Sequence, residues 1–187
     1  MKRIIITIIG CLILLPAFSQ EQELSKKEKR QLEKQMKKEA EAEAAAQNAK
    51  LIAVMVEYQR FVLEADQLRD AKGNSEQVSS TLNFVACDSI NGVIQIGQEA
   101  YVGMNGVGGI TVEGPISNYK YTHDEKRGVF NVTYNVRSSM GNYDVRLTAY
   151  TNGRADATIS SSWPGKLNYS GFLVPPMNSR VYKGTSY

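Results

Sequence analysis

Four carboxylates stand within stretches that read as strands: Glu64, Asp66, Asp88 and Glu113. Glu64 and Asp66 lie two apart and so share a strand face, an arrangement that could hold a hard cation or divide acid and base work. Either role needs further ligands or partners. The plainer expectation is that these groups face solvent or pair with Arg69, Lys120 or Arg146, where surface pairs contribute little. His123, the only histidine, falls in Thr122-His123-Asp124-Glu125-Lys126-Arg127-Gly128, a polar turn. A nucleophile and base need a rigid scaffold to hold them together, and a turn histidine reads as a solvated side chain. One histidine with Cys87 cannot supply the usual structural zinc sets, and Cys87 reads as a small half-buried strand residue. No catalytic, metal-binding or cofactor-binding residue is therefore assigned, and no cofactor is expected.

Two further groups could bind without catalysing. Gly103-Met104-Asn105-Gly106-Val107-Gly108-Gly109 is rich in glycine, but Ile110-Thr111-Val112-Glu113 follows as a strand. A dinucleotide loop needs a helix N-terminus there to receive phosphate. The stretch reads as a loop entering a strand, with glycines for positive φ or close backbone packing. Asn105, Gly106, Gly108, Gly109 and Glu113 are the candidate binding loop. Among the aromatic residues, Phe130, Tyr134, Tyr143 and Tyr169 fall on inward faces, where they fill a core or line a pocket.

The elements that must position these groups follow from apolar periodicity. Phe130, Val132, Tyr134 and Val136 alternate with Asn131, Thr133, Asn135 and Arg137, and the same alternation recurs from Tyr143 to Tyr150 and from Leu167 to Leu173. Asn91-Gly92, Arg127-Gly128, Gly141-Asn142, Asn152-Gly153 and Pro164-Gly165 stand between such runs, and the Asn-Gly pairs suit tight hairpins. Runs near 61–69, 78–88, 92–99, 109–122, 128–138, 143–151, 154–161 and 166–174 predict about eight strands. Short connections make neighbours antiparallel. The fold class expected is mainly β, a meander rolled into a barrel or half-barrel, with a β-sandwich as the alternative. Residues 20–58 form a charged helical arm and residues 60–187 the antiparallel β domain. Ser25 and Glu28 form a capping box at the start of the helix. Leu51, Ile52, Val54, Met55, Val56 and Tyr58 give its last part an apolar character suited to covering an opening of the sheet.

Residues 1–19, MKRIIITIIGCLILLPAFS, read as a secretory signal peptide: two basic residues, a short apolar run, then Ala17 and Ser19 before Gln20. The apolar run is too short to span a membrane, for which about 20 residues are needed. The address is the periplasm or cell envelope, or secretion. The competing reading is a lipid anchor on Cys11. Without Lys2 and Arg3, 22 basic residues become 20 against 19 acidic, so a nucleic-acid partner has no electrostatic support. Only Cys87 then remains, which leaves no internal disulfide.

The stretches Phe61-Val62-Leu63-Glu64-Ala65-Asp66-Gln67, Thr81-Leu82-Asn83-Phe84-Val85, Val93-Ile94-Gln95-Ile96-Gly97, Gly106-Val107-Gly108-Gly109-Ile110-Thr111-Val112-Glu113-Gly114, Leu173-Val174-Pro175 and Ser179-Arg180-Val181-Tyr182 carry a resemblance. Over residues 60–183 the chain resembles a family from exported proteins of gut-dwelling Gram-negative bacteria, numbered forty-two fifty-one among domains of unknown function. The resemblance implies an exported, mostly β protein and supplies no reaction, ligand or site residue. The function expected is that of a non-catalytic envelope protein, not an enzyme, that binds a protein or cell-surface partner. The alternatives are a carrier of a small apolar ligand in an aromatic-lined barrel and, behind it, a hydrolase. The mature chain has no expected membrane span.

Overall fold

The structure is a computed structural model that describes residues 25–100, 102–103, 105–161 and 165–186. The leader at 1–19 and Cys11 lie outside the described residues. The chain divides into two units at Lys38 and Glu39. In the first, Ser25 N donates to Glu28 Oε2 at 2.8 Å and Glu28 N to Ser25 Oγ at 3.3 Å. These reciprocal bonds satisfy amides that the first turn of a helix leaves open. The helix α1 runs Lys26–Glu57. Among the described residues no helix is long and apolar enough to cross a membrane.

The second unit is a closed antiparallel barrel. Its strands are β1 (Arg60–Arg69), β2 (Ser75–Gln77), β3 (Phe84–Asp88), β4 (Asn91–Ile96), β5 (Ile110–Asp124), β6 (Val129–Ser138), β7 (Gly141–Tyr150), β8 (Arg154–Ser161) and β9 (Lys166–Val174). From β3 to β9 each strand pairs with the next, β3 pairs back to β1, and β1 pairs with β9 from Val62↔Val174 to Arg69↔Asn168. That last ladder closes eight strands and removes their free edges. The ninth, β2, lies beyond the ring and pairs with the last residues of β1. Of the architectures expected from sequence, the closed barrel is the one formed. The long β5 serves β4 with residues 110–115 and β6 with residues 116–124, and the register shift between Ser117 and Lys120 bends it from one neighbour to the next.

Two local expectations are corrected. The run at 78–88 does not form one strand: Leu82 N and Asn83 N both donate to Ser79 O as a turn, and only Phe84–Asp88 is extended. Asn83 is the cause, since its fully buried amide donates to Ser79 O and Gly97 O and accepts from Gly97 N, bonds that a strand side chain could not gather. Asn91-Gly92 is likewise not a hairpin turn. The turn is Ser89-Ile90, with Ser89 at φ 51°, and Gly92 lies within β4, where a Cβ would stand 2.5 Å from Val136 Cγ2. The glycine there makes room inside the barrel. Asn152-Gly153 does form a turn, with Gly153 at φ 85°.

The inner face holds the core. Ala65, Ala149, Ala155 and Gly171 are register partners around β1, β7, β8 and β9 and form a row of small inward residues. The β7–β8 turn lies at this end, and a Cβ on its Gly153 would be 3.8 Å from Asn48 of α1. The small residues leave space that large ones would occupy. Ile52, Met55 and Val56 of α1 are buried in the same apolar cluster, and Tyr119 Oη donates to Val56 O at 2.7 Å. The last turns of α1 thus close one end of the barrel.

Candidate functional site

Successive strands of a meander run in opposite directions, so Ser161 at the end of β8 and Lys166 at the start of β9 lie opposite the β7–β8 turn and away from α1. There the barrel holds a partly open cavity of about 250 Å³. One wall is Ile94 and Ile96 of β4 with Ile110 and Val112 of β5. The facing wall is Tyr143 of β7, Ile159 of β8, and Leu167 and Tyr169 of β9, with Ser161 where β8 ends and Lys166 where β9 begins. Parity explains the chemistry. Ile94, Val112, Ile159 and Tyr169 occupy the inward positions of their strands, so the lining is what the alternation directs into the barrel. Tyr169 is fully buried and its Oη donates to Gln95 O at 3.2 Å. Burial pushes the Tyr169 and Tyr143 hydroxyls above the usual tyrosine range, so both remain neutral donors.

The four aromatic candidates divide between the ends. Tyr143 and Tyr169 line the cavity together. Phe130 and Tyr134 are buried in the core, Phe130 pairing in register with Ala149 in the row of small residues. Tyr134 packs edge-on to Phe61 at 6.4 Å and stacks on Tyr119 at 5.9 Å. Its hydroxyl is buried with no hydrogen-bond partner among the described residues, and burial drives it well above the ordinary tyrosine range. The aliphatic lining was not singled out from sequence. The signal was available in Ile94 and Ile96, which repeat at period two.

The candidate loop is knitted into a buried polar network. Asn105 Oδ1 accepts from Val107 N at 3.1 Å and Gly109 N at 3.0 Å, and its Nδ2 donates to Thr111 Oγ1 at 3.1 Å. Thr111 Oγ1 donates to Gln95 Oε1 at 2.9 Å, and Gln95 Nε2 donates to Leu82 O and Tyr182 O, each at 2.9 Å. Asn105, Thr111 and Gln95 are all buried. Gly106 and Gly108 have φ of 77° and 74°. Gly109 has no positive φ, but a Cβ on it would stand 2.1 Å from Ile96 O. The loop's polar groups are turned toward its own fold.

This network fastens the C-terminal segment to the outside of β4 and β5. Tyr182 N donates to Thr81 O, Gly184 N to Gln95 Oε1 and Thr185 N to Asn105 O. Two of the candidate carboxylates serve the same segment. Glu64 Oε1 accepts from Ser179 Oγ at 2.8 Å and Arg180 N at 2.7 Å, and Glu113 Oε2 accepts from Lys183 Nζ and Ser186 Oγ, each at 2.7 Å. The Lys183 ammonium and then the Ser186 hydroxyl hold Glu113 below the usual carboxylate range.

The other carboxylates are elsewhere. Asp66 forms a bidentate pair with Arg154, whose guanidinium also lies 4.7 Å from the Phe172 ring centre. Asp88 pairs with Arg60 at 3.1 Å on the surface. The expected partners Arg69, Lys120 and Arg146 are replaced by Arg154, Lys183 and Arg60. None of the four carboxylates lines the cavity, and among the described residues no group of three His, Cys, Asp or Glu side chains could hold a metal ion. His123 is exposed, its ring stacked on Phe130 at 3.9 Å. Cys87 is fully buried rather than half-buried, and burial pushes its thiol up to about 12, so it is not a thiolate nucleophile at neutral pH.

A family described as a domain of unknown function, DUF4251, matches residues 22–173. The crystal structure of a DUF4251 family protein from Bacteroides eggerthii is 30% identical, with a TM-score of 0.63. The match covers 79% of this chain and 99% of that one. The curated proteins contain no match.

Proposed function

The chain belongs to the DUF4251 family of domains of unknown function, and from that premise we propose that it is an exported, non-catalytic protein that takes a small apolar ligand into the open end of its barrel. The observation that carries this reading is the cavity, about 250 Å³ between Ile94, Ile110, Ile159 and Leu167, at the end that α1 does not close. Concave, mostly apolar sites with a few polar groups at their mouths are the usual form of small-ligand sites. The non-catalytic part rests on the carboxylates, each occupied by a different structural partner. Export rests on the leader at 1–19. The cavity favours a small ligand over the protein or cell-surface partner expected on sequence.

Calorimetric titration with octan-1-ol tests the reading. The wild-type protein takes it up saturably, and Ile159→Trp, which fills the cavity, abolishes uptake. Leu167→Ala, which enlarges the site without overfilling it, still binds. Uptake by Ile159→Trp equal to wild type, or none by either the wild type or Leu167→Ala, contradicts the proposal. Export is tested by expression in a Gram-negative host: Gln20 is the N-terminus of the envelope fraction, whereas intact Met1 in the cytosol contradicts it and a lipid on Cys11 replaces it with the anchored form.

A further inference from the structure

Resting on the ligand-binding reading above, we infer that the ligand is a small amphiphile, an apolar body of about eight carbons carrying an anionic head that Lys166 receives at the mouth. Size comes first. A dry apolar cavity of about 150 Å³ holds benzene, so the 250 Å³ here accommodates about ten non-hydrogen atoms by the same scale. The sign of the head follows from the lining. Lys166 is the single charged residue among the described residues of the cavity wall, and no carboxylate accompanies it.

Its position suits a head group. Lys166 is the first residue of β9, exposed, with Leu167 and Tyr169 leading inward from it. Strand parity directs Leu167 into the barrel and Lys166 to the outer face, but as the first residue of β9 Lys166 still lines the cavity edge, so its long side chain can keep its ammonium hydrated while it meets an anion. No ion pair joins Lys166 to a described acidic residue, whereas Lys183 and Arg154 are committed to Glu113 and Asp66. The deeper hydroxyl of Tyr169 already donates to Gln95 O. A carboxylate or sulfonate head is therefore met at the mouth by a cation and its body by Ile, Val, Leu and Tyr.

Octanoate, octan-1-ol and octylamine carry the same tail with an anionic, a neutral and a cationic head. Calorimetry at pH 7.5 with the purified protein gives octanoate about fivefold tighter than octan-1-ol, the upper range for a partly exposed ion pair, and octylamine weakest. Lys166→Gln abolishes the octanoate advantage over octan-1-ol, and Lys166→Arg retains it. Octan-1-ol binding as tightly as octanoate overturns the anionic head while leaving the cavity reading in place. An octanoate advantage that survives in Lys166→Gln overturns the role of Lys166. Failure of all three probes to bind removes the cavity reading itself and this inference with it.

Discussion

The side-chain oxygen of Gln95 accepts a hydrogen bond from Gly184 N at 2.8 Å, joining β4 to a segment 89 positions away. Gln95 is wholly buried although its neighbours Ile94 and Ile96 hold the inward parity of β4. The C-terminal segment covers what would be a solvent-facing position. Gln95→Leu removes one side chain but leaves Tyr182 O, Leu82 O and Gly184 N without it, and buried groups left unpaired cost about 1 to 3 kcal/mol each. Urea denaturation of this variant shows a loss of about 2 to 4 kcal/mol. A loss below about 0.5 kcal/mol refutes the fastening role of Gln95.

Gly109→Ala destabilises more than Gly106→Ala. The added Cβ at 109 meets Ile96 O at 2.1 Å, a backbone atom in a ladder that cannot give way, whereas at 106 nothing lies within 4 Å and only the positive φ is strained. Residue 106 loses about 1 to 2 kcal/mol, the usual cost of left-handed backbone, and residue 109 more than that. Thermal melts of the two variants rank them, and the reverse order contradicts the packing argument.

Glu113 makes stability depend on pH. Its folded carboxyl is held below the ordinary value of 4.5 by Lys183 and Ser186. The stabilisation is present above the unfolded pKa and is lost as pH falls through the lower folded one. With both partners partly exposed, it amounts to about 0.5 to 1 kcal/mol. Wild type therefore exceeds Glu113→Gln by this amount at pH 7 in urea melts, and the gap narrows at pH 3. A gap that widens on acidification would show the opposite linkage.

Cys87 is inert until the barrel opens. Burial raises its thiol to about 12, so at pH 8 a thiol-specific disulfide reagent reacts with native protein at the rate of unfolding and promptly in urea. Equal rates in both conditions contradict its burial.

The inward faces of β6, β7 and β9 were legible in the sequence, and the level of their residues in the barrel was not. Alternation directs Phe130, Tyr134, Tyr143 and Tyr169 inward, and all four are inward. Only Tyr143 and Tyr169 meet at the cavity, because level depends on register between strands and on α1 occupying the end where Ala65, Ala149, Ala155 and Gly171 make room. Period two says nothing of register. Glu64 likewise read as a solvent-facing position, whereas it is bound by a C-terminal segment distant in sequence, the same segment that covers Gln95. Asn91-Gly92 misled for a related reason: Gly92 is set by the approach of Val136, not by a turn.

The most direct test of the ligand-binding account is a titration of isoleucine-methyl-labelled protein with octanoate, followed by carbon–proton NMR. Ile94, Ile96, Ile110 and Ile159 line the cavity, while Ile52 is buried in the last turns of α1 and Ile90 is exposed in the β3–β4 turn. The account predicts saturable shifts at the four cavity methyls, with Ile52 and Ile90 unmoved. Shifts confined to Ile52 and Ile90, or no saturable shift at the four, would contradict it.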